Sequence, residues 1–132
     1  MRLLGIDYGT KRVGLALSDA LGTMAFPKTV IENNAHLVTT LAEIIQKEGV
    51  IGVVVGESKN LKGTDNPVMN DIRAFADELA RTTGIQVHLE PEFYTSREAR
   101  RLAAGSPARK KGAPVDAEAA AIILTSYISH NP

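Results

Sequence analysis

The sequence has 132 residues, 44% hydrophobic and 23% charged, with 15 basic and 15 acidic side chains that balance to a formal net charge of +0. These values fit a single globular domain over residues 1–132 and exclude a disordered, collagenous or coiled-coil chain. The absence of Cys excludes disulfides, zinc–thiolate sites and a thiol nucleophile, and no apolar run reaches the roughly 18 residues of a membrane span, so a cytoplasmic protein without membrane contact is expected.

Residues 3–8 and 13–18 are apolar runs around Gly9-Thr10-Lys11-Arg12, and they predict a β-hairpin with a short loop. A third strand is expected over 24–31, where Pro27 marks an edge strand or a bulge. Asn33-Asn34 offers a helix N-cap. Leu37, Leu41, Ile44 and Ile45 then recur at helical spacing, and Gly49 supplies the stop. Residues 50–55 form a β-branched run suited to a strand buried on both faces. A polar loop over 56–65 leads to Asn66-Pro67, a cap followed by a Pro suited to the first helical position. Val68, Ile72, Phe75 and Leu79 make one stripe down to Gly84, and 85–89 is the next strand. Thr95-Ser96-Arg97-Glu98 matches a capping box and opens a short basic helix to about residue 104. A Gly/Pro/basic loop follows over 105–114, and a mostly apolar helix over 115–128 closes the chain. Strands alternating with helices in the later half predict an α/β sandwich with parallel pairing there, and the opening hairpin makes the sheet mixed.

The neutral total conceals an uneven distribution. Arg97, Arg100, Arg101, Arg109, Lys110 and Lys111 face only Glu98 within residues 97–111, a local charge of +5 offset by −5 over the rest of the chain. Such a segment can guide a polyanion, and on charge alone it is equally a solvated helix face with a solubilising loop.

Three acids stand where an open α/β sheet places its ligands, outside the carboxyl ends of its strands. Asp7 ends the first strand, Glu92 follows the last, and Asp116 begins the terminal helix. Taken singly, each has an ordinary structural reading: a turn acceptor, an exposed loop acid and a helix cap. Clustered, they would repel one another unless a cation joined them. Hard Mg²⁺ or Mn²⁺ favours such a carboxylate set, and one or two ions so held serve phosphodiester hydrolysis.

The run 4–19, Leu4-Gly5-Ile6-Asp7-Tyr8-Gly9-Thr10-Lys11-Arg12-Val13-Gly14-Leu15-Ala16-Leu17-Ser18-Asp19, resembles the opening of the YqgF/RuvX family. Val53-Val54-Val55-Gly56, Asn60, Gly63-Thr64, residues 95–100, and Val115-Asp116 with residues 120–124 and Tyr127 resemble its later motifs in order. The resemblance spans essentially the whole chain. It implies a ribonuclease-H-like α/β fold, a mixed five-stranded sheet with helices on both faces. It also implies a metal-dependent nuclease, described in that family both as a Holliday-junction resolvase and as the enzyme that matures the 5′ end of pre-16S ribosomal RNA. Asp7, Glu92 and Asp116 are then the metal-binding catalytic acids. Two stretches depart from the pattern. Pro91-Glu92-Phe93-Tyr94 stands where the family has Asp-Glu-Arg-Leu, and Glu57-Ser58-Lys59-Asn60 replaces Leu-Pro-Leu-Asn. Glu57, expected beside Asp7, is a candidate fourth carboxylate; as a surface acid it would pair with Lys59 or Lys62 instead.

Lys11, Arg12 and the six basic residues of 97–111 are expected to hold the nucleic-acid backbone. No aromatic residue lies between Arg97 and Lys111, which favours recognition of backbone and shape in structured ribosomal RNA over base stacking. A four-way DNA junction is the alternative substrate, and a monomer or weak homodimer is expected. Two other classes compete. Asp7-Tyr8-Gly9-Thr10 also resembles the first phosphate motif of the actin and sugar-kinase superfamily, but the chain supplies only one domain, and no Lys-Ser/Thr follows Gly14 to make a Walker motif. A non-catalytic nucleic-acid-binding module would have little use for three acids, which repel phosphate unless metal intervenes.

Overall fold

The computed structural model describes residues 2–57, 68–91 and 115–130, the last without the side chains of Val115 and Asp116. The predicted hairpin forms as β1 (Arg2–Tyr8) and β2 (Arg12–Ser18), antiparallel, with Asp7 opposite Gly14 and Tyr8 opposite Val13. β3 (Ala25–Glu32) lies at the sheet edge, where the missing amide of Pro27 costs no ladder bond. Its register against β2 slips between Leu15 and Ala16, opposite Thr29 and Pro27, so Pro27 marks both an edge and a bulge. β4 (Val50–Gly56) pairs parallel with β1 on one side and with β5 (Gln86–Glu90) on the other, giving the order β3-β2-β1-β4-β5. Flanked by two strands and covered on both faces, β4 is buried throughout except for Ile51, which is 55% exposed at the amino end of the sheet.

Helices α1 (Leu37–Glu48) and α2 (Met69–Thr83) cover one face of the sheet. Leu41, Ile45, Ile72, Phe75 and Leu79 pack there against Leu4, Ile6, Val53 and Val55. Both helices end as the sequence predicts, in left-handed glycines, Gly49 at φ 67° and Gly84 at φ 71°. Their starts differ from expectation. His36 occupies the cap position of α1 without a side-chain bond, while Asn34 Oδ1 accepts the His36 amide at 2.9 Å in a turn just before the helix. Val68 is the cap residue of α2; Asn66-Pro67 and the loop over 58–65 lie outside the described residues.

Helix α3 (Val115–His130) lies on the other face, where Ala120, Ile123 and Leu124 pack on Ala16 and Val54. The sequence predicts a well-buried helix ending near 128. It is buried at Ala117, Ala119, Ala120, Ile123 and Leu124 but presents Thr125, Ser129 and His130 to solvent. The basic helix expected from Thr95 and the loop over 105–114 lie outside the described residues. Among the described residues no helix is long and apolar enough to cross a membrane.

The β2–β3 turn is closed by Asp19, whose carboxylate accepts the Thr23 hydroxyl at 2.6 Å, the Thr23 amide at 2.7 Å and the Met24 amide at 3.1 Å. Those bonds, the Thr23 hydroxyl foremost, hold its pKa down at about 2 from an ordinary 3.8. The folded state therefore binds this proton less readily than the unfolded state. The stabilisation is complete above the unfolded pKa and is lost as pH falls towards 2. Denaturant titrations at pH 7, 4 and 2.5 are expected to show Asp19→Asn less stable than wild type at pH 7, with the gap narrowing between pH 4 and 2.5. A gap that stayed constant over that range would remove Asp19 from the acid response.

Candidate active site

Side chains alternate along β1. Leu4, Ile6 and Tyr8 enter the core under α1 and α2, so Asp7 faces the α3 side with Leu3 and Gly5. Asp7 is half-buried at the carboxyl end of the strand, near the middle of the sheet. The ladder pairs Ile6 with Val55 and Val55 with Leu89; one step further, Gly56 pairs with Glu90. The edge row beyond the apolar core thus reads Asp7, Gly56, Glu90. Glu57 follows Gly56 immediately, half-buried, with its amide donating to the Glu90 carbonyl at 2.8 Å.

The hairpin loop beside Asp7 is held from outside the hairpin. Asn33 Nδ2 donates to the Gly9 carbonyl at 2.7 Å, and the Asn33 amide donates to the Lys11 carbonyl at 3.0 Å. These two bonds fix the loop carrying Lys11 and Arg12, both exposed at this edge. The sequence pattern assigns Asn33 to a helix cap; in the structure it is a clamp on a loop 24 residues away in sequence, which no local pattern reports.

Helix α3 comes unusually close to β1 and β4. A Cβ on Gly5 would meet the Ala120 carbonyl oxygen and the Leu124 Cβ, each at 2.8 Å, and one on Gly56 would meet Ile123 Cδ1 at 2.5 Å. Ala120 and Leu124 are one turn apart on one helix face, and one turn before Ala120 on that face is Asp116, whose backbone lies in the first turns of α3. The Asp116 side chain, Glu92, and Arg97, Arg100, Arg101, Arg109, Lys110 and Lys111 lie outside the described residues.

Glu90 lies in the same edge row, and the sequence did not single it out. It is 5% exposed, and its Oε2 accepts the Ser126 hydroxyl of α3 at 2.6 Å, with His130 Nε2 3.7 Å away. Before Pro91 it reads as one more strand-end acid, and its partners stand some forty residues on. Among the described residues no three carboxylates or imidazoles gather closely enough to hold a metal, so Asp7, Glu57 and Glu90 are not by themselves a metal centre.

On the opposite face of β1, a cavity of about 290 Å³ opens beside Tyr8 and Phe75, whose rings are 4.9 Å apart, and Asp71 and Glu78 of α2 line it.

A family model described as "RuvX: Holliday junction resolvase" matches residues 1–130. A protein of Maridesulfovibrio salexigens named "Putative pre-16S rRNA nuclease" is 38% identical over 133 aligned positions, covering 98% of each chain. A protein of the same name from Moorella thermoacetica is 38% identical over 132 positions, covering 97% of this chain and 94% of its own. Among solved structures, Thermus thermophilus RuvC in complex with a Holliday junction superposes with a TM-score of 0.61 at 18% identity, covering 98% of this chain and 94% of its own. The fowlpox virus Holliday junction resolvase gives 0.58 at 13%, covering 98% and 99%. At these identities the structures show the fold, which is ribonuclease-H-like.

Proposed function

The chain belongs to the RuvX family, and from that membership we propose that it is a metal-dependent endonuclease of structured nucleic acid whose main task is 5′-end maturation of pre-16S ribosomal RNA. The observation that carries this reading is the placement of Asp7. It is a carboxylate at the carboxyl edge of the central parallel pair, turned towards α3, whose first turn contains Asp116, beside an exposed basic loop clamped by Asn33. Full-length relatives named for pre-16S rRNA support the substrate.

In this reading residues 1–132 act as one nuclease domain. Asp7, Glu92 and Asp116 hold Mg²⁺ or Mn²⁺, with Glu57 as a fourth carboxylate. The donor set fits: it is all carboxylate, with no Cys in the chain and no His in the edge row, which matches a hard divalent cation. Such an ion, when bound, activates water for attack and offsets charge on the leaving oxygen. The protein's own part is to place the backbone. Lys11 and Arg12 form one rim, and Arg97, Arg100, Arg101, Arg109, Lys110 and Lys111 supply the other. Neutralising Arg109, Lys110 and Lys111 together is expected to weaken binding irrespective of sequence and to lower the salt slope by up to about three phosphate contacts. Filter binding from 50 to 200 mM salt reads the slope; an unchanged slope would return the segment to a solubilising role.

The deciding experiment offers a pre-16S ribosomal RNA fragment and a four-way DNA junction side by side, with Mg²⁺, Mn²⁺ or EDTA. Metal-dependent cleavage of the RNA at a defined position is expected. Junction cleavage alone would transfer the assignment to resolution, which calls for a two-fold dimer so that two sites cut symmetric strands. Binding without cleavage under either metal would leave a nucleic-acid-binding module.

A further inference from the structure

Glu90 joins the ends of β4 and β5, which lead in the chain to Glu57 and Glu92, with α3, which contains Asp116. Its carbonyl accepts the amide of Glu57 at the end of β4. Its own strand, β5, leads in two residues to Glu92. Its carboxylate accepts the Ser126 hydroxyl of α3, the helix whose first turn contains Asp116. We propose that Glu90 is a positioning residue of the nuclease site, setting the ends of β4 and β5 against α3; the proposal rests on the nuclease reading above.

The chemistry of the position argues for such a role. A carboxylate at 5% exposure sacrifices hydration that a leucine of similar size would not. Packing alone therefore does not call for it, whereas directional bonds do. The 2.6 Å bond from Ser126 is short, as expected for a hydroxyl donating to a charged oxygen. His130 Nε2, 3.7 Å away on an exposed side chain, adds little.

The link from Ser126 to Asp116 is mechanical. Ten residues of helix span about 15 Å and behave as a rod, and this rod is seated closely on Gly5 and Gly56. A slide or rotation at Ser126 is carried to its first turn. Loss of the Glu90 carboxylate need not detach the helix, because the His88 and Tyr127 rings, 5.1 Å apart, make a second link between β5 and α3.

The test compares Glu90→Gln, Glu90→Leu and Ser126→Ala with wild type. The readouts are kcat and KM for nucleic-acid cleavage, Mn²⁺ binding by calorimetry without nucleic acid, the thermal midpoint, and amide exchange at Glu57 by NMR. Glu90→Gln, whose amide oxygen still accepts from Ser126, is expected to keep kcat within about threefold of wild type. Glu90→Leu and Ser126→Ala are expected to lower kcat about tenfold or more with KM nearly unchanged, and Glu90→Leu to weaken Mn²⁺ binding by a similar factor. The thermal midpoint of Glu90→Leu should hold or rise, since a buried charge is replaced by an apolar group, while exchange at the Glu57 amide quickens. Glu90→Leu with wild-type kcat and Mn²⁺ affinity overturns the proposal, as does a kcat loss matched by an equal loss of folded protein. If wild type neither cleaves nor binds Mn²⁺, the nuclease reading falls, and the positioning role falls with it. The exchange rate at Glu57, read without metal or substrate, separately shows whether Glu90 sets the edge.

Discussion

Asp7→Asn is expected to lower cleavage by at least about 10²-fold while leaving the fold and nucleic-acid affinity nearly intact. The exchange is nearly isosteric, and Asp7 lies at a strand end whose backbone is paired with Gly14 on β2, so the ladder does not depend on its charge. In the proposed site, removing that charge would take away metal affinity and transition-state stabilisation together. If the three acids form the proposed metal site, Glu92→Gln and Asp116→Asn should have effects of the same order, since losing one member of a set that acts as a unit disables the set. Glu57→Gln is the graded member of the series. If Glu57 is a ligand, that variant needs more Mn²⁺ for half-maximal rate and has a lower maximal rate, whereas wild-type metal dependence leaves three acids as the full set. Initial rates on a labelled pre-16S fragment across an Mn²⁺ titration measure all four. Retention of wild-type rate by Asp7→Asn would sink the assignment of the site to this edge.

What could be read from the sequence was what depends on neighbours along the chain. Apolar runs around Gly9-Thr10-Lys11-Arg12 placed β1 and β2, the β-branched run marked β4 as a strand buried on both faces, and Gly49 and Gly84 marked helix ends because only a residue tolerant of positive φ fits there. Pro27 marked the edge because it lacks an amide to share. The hidden features are contacts across long sequence separations. Asn33 has the composition of a helix cap and the position of a loop clamp, and the choice is made by Gly9 and Lys11 on a different hairpin. Glu90 gives no local sign of burial, since its strand also carries Gln86 and His88; it is buried because α3 brings Ser126 to it. The three proposed acids were all singled out by position, at two strand ends and a helix start, and grouped by the family motif; of them, the structure describes the side chain of Asp7.

Gly5→Ala is expected to destabilise the protein by about 1–3 kcal/mol, and Gly5→Val by more. The added methyl would stand 2.8 Å from the Ala120 carbonyl oxygen and 2.8 Å from the Leu124 Cβ, both attached to the α3 backbone, so neither can move aside by changing rotamer. The helix itself must lift from β1. Reduced freedom of the unfolded chain returns only about 0.4–1 kcal/mol to the alanine variant. Gly56→Ala is the informative contrast. Its methyl meets Ile123 Cδ1 at 2.5 Å, the far end of a side chain that can turn, and the milder cost should be relieved in part by Ile123→Val, which removes that atom. Gly49→Ala has no neighbour within 4 Å of the new Cβ and loses stability only through its φ of 67°, about 1–2 kcal/mol. Thermal midpoints, which shift by about 2–8 °C per kcal/mol in domains of this size, rank the three sites. Cleavage at 25 °C, with each variant still folded, separates them further. Lifting α3 moves the helix whose first turn contains Asp116, so Gly5→Ala should lose rate beyond its loss of stability, while Gly49→Ala, at the far end of α1, should not. Equal residual rates in those two variants would mean that the seating of α3 on Gly5 serves stability alone.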